Sequence, residues 1–196
     1  MHRTMLFNQM IEVMQRFYPI SSALILQLSQ VIHFIDYRAG YTILNYKEIQ
    51  KFIWFQLKGT SAEMTRDIVN SGEFASWFWF VGDFIYTTPG FFSQQPSESA
   101  IVILEDSSFI YISIEDFTAL KRQFLEAESL IEKLRDNYKV LRTQHAADMK
   151  RTALERARNL CHNHPHLLKI CSRKQLASFL SMSPDTLTRS LKKLTN

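Results

Sequence analysis

A basic segment close to the end of this 196-residue chain carries the side chains best suited to bind a polyanion. The segment SRKQLASFLSMSPDTLTRSLKKL (172–194) has apolar residues at helical spacing on either side of a short turn. Ala177 is small enough to let two helices cross closely, and Ser183-Pro184 supplies an N-cap and a first-turn proline for the second helix. The inner positions of this predicted helix-turn-helix are Leu176, Ala177, Leu180, Leu187 and Leu191.

The outward positions of the second helix are polar or basic, which suits double-stranded DNA. An α-helix fits the major groove, where Arg189 can donate two hydrogen bonds to guanine and Asp185 can accept one from cytosine. Hydroxyl and charged groups around them suit phosphate oxygens, and such contacts fix the register of a protein on DNA. The alternative for this face is a solvated basic helix pair with no ligand. The other predicted DNA-binding residues are Ser172, Arg173, Ser183, Thr186, Thr188, Lys192 and Lys193.

A second group of chemically capable side chains precedes this segment. Thiol and imidazole groups are ligands for zinc, iron and copper, but their spacing here matches no common zinc finger. We therefore expect no metal and no cofactor, and a redox role of the two thiols stays open. The residues concerned are Cys161, His162, His164, His166 and Cys171.

The charge of the chain is divided unevenly. Residues 1–126 hold 9 Lys and Arg against 13 Asp and Glu, whereas residues 127–196 hold 14 against 6. A basic C-terminal third predicts that this part faces a polyanion, with nucleic acid as the first candidate.

The composition excludes several classes of protein. Only 2 cysteines are present, too few for a disulfide framework, and 13% aromatic content is too high for intrinsic disorder. We see no uncharged apolar window long enough to span a membrane, so the sequence predicts a soluble cytoplasmic protein without a membrane partner. Phosphate-binding loops, dinucleotide-binding loops and hydrolase motifs are missing, so we expect no enzyme.

Two helices and a β-rich region are predicted before the basic part of the chain. Apolar residues at helical spacing indicate a helix over 4–17 and a second that starts near residue 23. Short runs of β-branched and aromatic residues separated by turn residues then predict six or more strands in an antiparallel sandwich or barrel. The predicted strands are 41–46, 52–57, 62–69, 74–81, 100–104 and 109–114.

A long helix is predicted over residues 117–146. Its apolar residues follow one another at alternating intervals of three and four, the spacing of a two-helix coiled coil. We interpret this stripe as a homodimer seam, and the alternative is a helix that packs on its own domain. The stripe consists of Leu120, Phe124, Ala127, Ile131, Leu134, Tyr138 and Leu141.

The order of these parts resembles the Crp/Fnr family of bacterial transcription regulators over roughly residues 20–194. Arg173, Asp185, Thr186 and Arg189 fall on DNA-contacting positions of the family's helix-turn-helix pattern, and SPDTLTR is similar to members from the Bacteroidetes. Ser181 stands where a turn glycine is usual, so we expect a strained or altered turn.

The resemblance implies an α+β fold in three parts. A double-stranded β-helix of the jelly-roll type, similar to a cyclic-nucleotide-binding domain, would occupy 1–116. The dimerisation helix would occupy 117–146 and the helix-turn-helix domain 147–196.

GDFIYTTPGFFSQQPSES is similar to the phosphate-binding cassette of cyclic-nucleotide-binding domains. In ligand-binding relatives, an acidic residue holds the ribose and an arginine holds the cyclic phosphate. Asp83 matches the acid, but Ser97 stands in place of the arginine and Glu98 follows it. A buried phosphate needs a partner charge or several donors, so we expect a degenerate pocket that does not bind cyclic AMP. The pocket residues are Gly82, Asp83, Phe84, Ser97, Glu98 and Ser99.

Together these features predict a homodimeric, sequence-specific DNA-binding regulator that binds an inverted-repeat operator. RNA polymerase is a further candidate partner, and a small-molecule effector is either unknown or missing. The alternative is a ligand-binding or protein-interaction module whose helical tail contacts a protein instead of DNA.

Overall fold

A computed structural model describes residues 2–67 and 72–195 of the chain. The end of the predicted strand 62–69 lies outside these residues. The helices are α1 (His2–Phe17), α2 (Ser22–Val31), α3 (Ile114–Gln123), α4 (Leu125–Asp148), α5 (Ala153–Asn163), α6 (Leu167–Ile170), α7 (Arg173–Phe179) and α8 (Pro184–Thr195). The strands are β1 (His33–Tyr37), β2 (Thr42–Leu44), β3 (Phe52–Lys58), β4 (Ser61–Asp67), β5 (Gly72–Trp79), β6 (Phe84–Ile85), β7 (Ser99–Ile103) and β8 (Ser107–Ser113).

The strands form two antiparallel sheets of four strands each, as the predicted sandwich requires. The first sheet has the order β1-β8-β3-β6, and the second has the order β2-β7-β4-β5. The central pair of the first sheet aligns Phe55 with Ile110, and that of the second aligns Ala62 with Val102. The predicted α+β fold with a jelly-roll-like N-terminal part is therefore confirmed.

Both faces of the central strands of each sheet are largely buried, because helices cover the outer faces. Along β3, Trp54 points between the sheets and packs with Trp79 and Phe109, whereas its neighbour Phe55 packs among the helices. Because successive side chains of a strand point to opposite faces, a strand such as β3 that is buried on both faces needs an uninterrupted run of apolar residues. The sandwich thus has one core between its sheets and one on each outer side.

The predicted long helix is divided into α3 and α4 at Phe124, which corrects the expectation of one continuous helix over 117–146. Phe124 has extended backbone angles of φ −126° and ψ 109°, and its side chain packs into the helical core. Glu126 in the first turn of α4 accepts hydrogen bonds from the backbone nitrogen and Oγ of Ser21, at 2.8 and 2.6 Å. These contacts fix the start of α4 against α2, which helical spacing alone could not show.

The apolar stripe of this helix packs on its own chain, which favours the alternative interpretation for most of its length. Leu120 and Ala127 are 5% and 7% exposed in the core that also holds α1 and α2. Leu130, which lies outside the predicted seam, is buried there as well. The exposed apolar side chains of α4 are Leu125 at its start, 87% exposed, and Val140 and Leu141 in its C-terminal half, 51% and 39% exposed. The predicted seam therefore does not by itself identify a dimer interface.

The C-terminal helices cover the outer face of the second sheet. Ala62, Ala75 and Phe78 from the sheet share one apolar cluster with Leu160 and Leu187 from the helices. Within the residues that the structure describes, no helix has both the length and the hydrophobicity to cross a membrane.

Candidate nucleic-acid interface and effector pocket

The helix-turn-helix forms where the sequence predicts it. Helices α7 and α8 pack on each other, α7 also packs on β5 and α8 on α5, and Leu176, Ala177 and Leu187 are at most 1% exposed. Because Ala177 has only a methyl side chain, the two helices can approach closely at this point. The predicted inner face is confirmed, and the opposite face of α8 is left toward solvent.

Two of the predicted DNA-binding hydroxyls also cap helices. Ser172 Oγ accepts a hydrogen bond from the Gln175 nitrogen at 3.2 Å, and the Gln175 side chain accepts one from the Ser172 nitrogen at 2.8 Å, a capping box. Ser183 Oγ accepts a hydrogen bond from the Thr186 nitrogen at 3.1 Å, as the predicted cap of α8 requires. Both hydroxyls lie at exposed helix N-termini, where they can still donate to a phosphate oxygen.

The turn between the helices holds Ser181 in a strained backbone conformation, one of the two outcomes expected from its missing glycine. Ser181 has φ +50°, in the left-handed region that costs an L-residue free energy. Arg156 of α5 donates a hydrogen bond from Nη1 to the Ser181 carbonyl at 3.3 Å and to the Met149 carbonyl at 3.2 Å. Arg156 is a positioning residue that the sequence did not reveal, because its partners are backbone atoms of distant segments.

The exposed face of α8 gathers the residues predicted to contact DNA. Asp185 and Arg189 are exposed, and Arg189 Nη2 lies 3.4 Å from Thr186 Oγ1. Thr188 Oγ donates to the Pro184 carbonyl at 2.9 Å, so its hydroxyl proton is already used within the helix. Exposed basic residues continue this surface at Arg173, Lys192 and Lys193.

Aromatic contacts hold the helix-turn-helix against the second sheet. The Phe179 ring of α7 lies 4.7 Å from that of Phe78 and 4.3 Å from that of His145. His164 stacks on Phe80 at 4.4 Å. Burial lowers the pKa values of His145 and His164, which favours their uncharged forms within these contacts. The exposed side of α8 takes no part in this packing.

The two cysteines are free and half-buried. Burial raises the pKa of Cys161, and it raises the pKa of Cys171 to about 12, so both are held as thiols. Among residues 2–67 and 72–195, no group of three or more His, Cys, Asp or Glu side chains is arranged to hold a metal ion.

Three of the predicted effector-pocket residues line one groove beside α4. Gly82, Asp83 and Phe84 lie there together with Tyr86 and Tyr138. The Asp83 carboxylate accepts a hydrogen bond from the Phe80 nitrogen at 2.8 Å, within its own turn. Burial raises the pKa of Asp83 to about 6 despite this bond. The carboxylate is therefore already engaged in shaping the turn.

The other three predicted residues have different surroundings. Ser97 Oγ is buried and lies within hydrogen-bond distance of two oxygens of its own chain, 2.9 Å from Thr87 Oγ1 and 2.8 Å from the Ser99 carbonyl. Ser99 Oγ donates to Glu63 Oε1 at 2.8 Å. Glu98 is exposed. The six residues thus do not share one set of neighbours.

A buried ion pair that the sequence did not reveal lies beside Ser99 and Tyr138. Glu63 lies in the middle of β4 with 6% of its side chain exposed, and Arg142 of α4 forms a salt bridge to it. Arg142 also donates to the Tyr138 hydroxyl, and its guanidinium lies 4.9 Å from the centre of the Trp77 ring. Burial disfavours the charged guanidinium, but Glu63 and Tyr138 outweigh it and raise the pKa of Arg142. The signal available in the sequence was Glu63 itself, a single acidic residue between apolar residues of a predicted strand.

No family model matches the sequence, and no curated protein matches it either. The fold is similar to several solved regulators. A putative transcriptional regulator of the Crp/Fnr family from Eubacterium rectale is 14% identical, with a TM-score of 0.72 over 92% of this chain and 88% of that one. FixK2 from Bradyrhizobium japonicum is 16% identical, with a TM-score of 0.71 over 84% of this chain and 85% of that one.

A third similar structure is the c-di-GMP responsive global regulator CLP from Xanthomonas campestris. It is 17% identical, with a TM-score of 0.67 over 89% of this chain and 92% of that one. The chain therefore has a regulator fold in which a cyclic-nucleotide-binding-like sandwich is joined to a helix-turn-helix. More particularly, it is the fold of Crp/Fnr transcription regulators, as the sequence resemblance implied.

Proposed function

We propose that this protein is a sequence-specific DNA-binding transcription regulator of the Crp/Fnr type. The observation that supports this proposal most directly is the division of α8 into two faces. Leu187 is fully buried in the helix-turn-helix core, whereas Asp185, Arg189 and Lys193 are exposed on the opposite side. An amphipathic helix with an exposed basic face has the shape and charge to enter the major groove.

The exposed residues divide into two roles. Arg189 addresses a guanine edge through two parallel donors, and Asp185 accepts from a cytosine amino group. Groups at the helix N-termini and along the basic edge contact phosphates and fix the register. The phosphate-contacting residues in this proposal are Ser172, Arg173, Ser183, Thr186, Lys192 and Lys193, with Thr188 as a weaker contributor because its hydroxyl bonds within α8.

The protein acts as a homodimer in this proposal. Two recognition helices related by a two-fold axis lie about 34 Å apart, which fits one turn of B-DNA and an inverted-repeat operator. The exposed C-terminal half of α4, with Val140 and Leu141, is the part of the helix available for pairing. The regulator would work in the cytoplasm, where RNA polymerase is its further partner.

The sandwich of this regulator would not bind cyclic AMP. Arg142 of α4 reaches the region of the predicted pocket, and it is already paired with Glu63. A cyclic phosphate that bound Arg142 would have to displace a carboxylate that is nearly fully buried and would leave that carboxylate without its partner. The sandwich therefore serves as a scaffold, or it senses an effector that carries no negative charge.

Binding to duplex DNA at several salt concentrations tests the proposal. If several phosphates are contacted, log K falls linearly with log salt, by about 0.9 for each phosphate. Arg189→Ala should reduce the preference for operator over random DNA, whereas Lys192→Ala should weaken both equally and lower the salt slope by about 1. Lys51→Ala, which removes an exposed charge directly before β3, is the matched control and should bind as the parent does.

Operator DNA for this test comes from selecting bound sequences out of a random duplex pool. Equal losses for Arg189→Ala and Lys192→Ala on every sequence would exclude a base-recognising role for Arg189. A chain that binds no duplex, yet captures a protein in a manner insensitive to salt, would favour the protein-interaction alternative.

A further inference from the structure

The last strand of the second sheet is held by helices of the C-terminal part of the chain. Strand β5 ends the order of that sheet, so one side of its backbone has no strand partner among the described residues. Helix α7 covers this side, where the Ala75 nitrogen donates a hydrogen bond to Ser178 Oγ at 3.3 Å. Ala75 is 1% exposed, so a departure of α7 from the strand would open this backbone donor to water.

The C-terminal half of α4 contacts the same strand through Arg142. Glu63 and Trp77 lie directly opposite each other on β4 and β5, and the Arg142 guanidinium reaches both of them. The guanidinium also lies 4.7 Å from the centre of the Tyr138 ring, which itself is 5.6 Å from the Trp77 ring. A cation is attracted to the faces of aromatic rings, and the planar guanidinium can stack on a ring while it pairs with a carboxylate. Arg142 therefore holds α4 on two strands at once.

His145, one turn further along α4, connects this helix to the helix-turn-helix. Its ring lies 5.7 Å from the Trp77 ring at an interplanar angle of 90°, and it stacks on the Phe179 ring of α7 at 4.3 Å. Phe179 also lies 4.7 Å from Phe78, the residue after Trp77 on β5. Neighbours in a strand point to opposite faces, so Trp77 and Phe78 lie on either side of β5. The contact between His145 and Phe179 thus closes around the edge of this strand.

These contacts lead without a gap from the buried ion pair to the helix-turn-helix. We call them the β5 clasp, which consists of Trp77, Phe78, Arg142, His145 and Phe179. Helix α7, which the clasp holds, packs directly on α8, so the placement of α7 also sets the direction of α8. The DNA-binding face of α8 takes no part in the clasp and stays exposed while the clasp is formed.

We propose that Arg142 is a positioning residue for DNA binding, which fixes the direction of α8 through His145 and Phe179. The inference rests on the proposed function and deepens it, because the connection between sandwich and recognition helix then needs no effector. Two recognition helices bind an inverted repeat together only when their relative position matches the operator. A loosened clasp lowers the effective concentration of the second helix at its half-site, whereas binding of one helix to one half-site is unaffected.

A complete inverted repeat and a duplex with a single half-site separate positioning from folding. Arg142→Met should weaken binding to the complete operator about tenfold or more, since losing one hydrogen bond to a charged group changes an equilibrium constant by at least that factor. Binding to the single half-site should stay as in the parent. Partial unfolding would instead weaken binding to both duplexes by the same factor. Arg122→Met, the same change at an exposed position of α3, is the control and should bind both duplexes as the parent does.

Phe179→Leu tests the far end of the β5 clasp without changing α4, which the proposed homodimer uses for pairing. It should show the same difference between the two duplexes. The variant with both changes should lose little more than either single variant, because both act through one connection. If either single variant binds the complete operator as tightly as the parent, or loses affinity equally for both duplexes, the proposal is wrong. Tighter operator binding by either variant would make the clasp inhibitory and would also overturn the proposal.

Hydrogen exchange of the Ala75 amide tests the clasp without DNA. In Arg142→Met this amide should exchange about tenfold faster or more, because α7 leaves the strand more often by the same factor. Arg122→Met should leave its exchange rate unchanged. Equal exchange of the Ala75 amide in Arg142→Met and the parent would contradict the proposal. A parent that binds no duplex would refute the proposed function, and the exchange rate would still decide whether Arg142 holds the helix-turn-helix in place.

Discussion

Removing one partner of the Glu63–Arg142 ion pair at a time shows how strongly this pair holds α4 against the sandwich. Glu63 has 6% and Arg142 35% of its side chain exposed. Arg142→Met leaves a buried carboxylate without its cation, and breaking a buried pair in this way costs about 3–5 kcal/mol. Ser99 Oγ still donates to Glu63 at 2.8 Å, so we expect the lower end, about 3 kcal/mol.

The opposite change should cost less. Glu63→Gln removes the negative charge but keeps an oxygen that can accept from Ser99, and the partly exposed Arg142 side chain can turn its guanidinium toward water. The loss is then that of one hydrogen bond to a charged group, about 1.5–3 kcal/mol. The double variant should be more stable than the sum of the two losses predicts, by about 1–3 kcal/mol.

Urea unfolding of the four proteins, followed by tryptophan fluorescence and by circular dichroism, measures this cycle. Coincident transitions by the two probes are needed before the free energies are compared. If both single variants lie within about 0.5 kcal/mol of the parent, the pair contributes as little as an ordinary surface contact. Strict additivity of the two losses would equally refute the coupling inferred from the geometry.

Three further changes test other parts of the structure. Burial raises the pKa of Asp83 from 3.8 to about 6, so the folded protein binds this proton more tightly than the unfolded chain does. The stability that protonated Asp83 contributes is therefore fully present below pH 3.8 and is lost as the pH rises through about 6. Asp83→Asn should therefore gain stability over the parent between pH 4 and pH 7 in urea unfolding, and a constant difference would refute the shift. Ser181→Gly should stabilise the protein by about 1 kcal/mol by relieving its positive φ, whereas Ser181→Ala should not, as measured by thermal unfolding. Leu187→Ala should lower the unfolding free energy by about 3 kcal/mol and weaken DNA binding. Leu125, which is 87% exposed, is the control, and Leu125→Ala should change the unfolding free energy by less than about 0.5 kcal/mol. Similar losses for the two variants would contradict the buried role of Leu187.

Local patterns were sufficient to predict the helix-turn-helix. Its helices are short and adjacent in sequence, so the spacing of Leu176, Ala177 and Leu187 determines which face is buried. Ser183 and Pro184 fix the start of α8 through bonds within four residues. The unusual Ser181 conformation followed from the same local information, because a missing turn glycine leaves another residue to adopt positive φ.

The effector region could not be predicted in the same way. Residues 63 and 142 are far apart in sequence, and neither lies in the cassette that the resemblance identified. The sequence showed Ser97 in place of the phosphate-binding arginine, but it gave no sign that α4 brings Arg142 into this region. A pairing of this kind depends on where a helix crosses a sheet, which no periodic pattern encodes.

The amino-acid sequence by itself determined the α+β class, the alternating strands and the division of α8 into an apolar and a basic face. These features depend on periods of two and 3.6 residues, which any stretch of chain carries within itself. The tertiary structure alone decided that the helix breaks at Phe124 and that its stripe covers the protomer's own sheet. The hydrophobic effect has no direction, so an apolar face can be buried equally well against any apolar surface. Which surface it packs against is therefore decided only in the assembled fold.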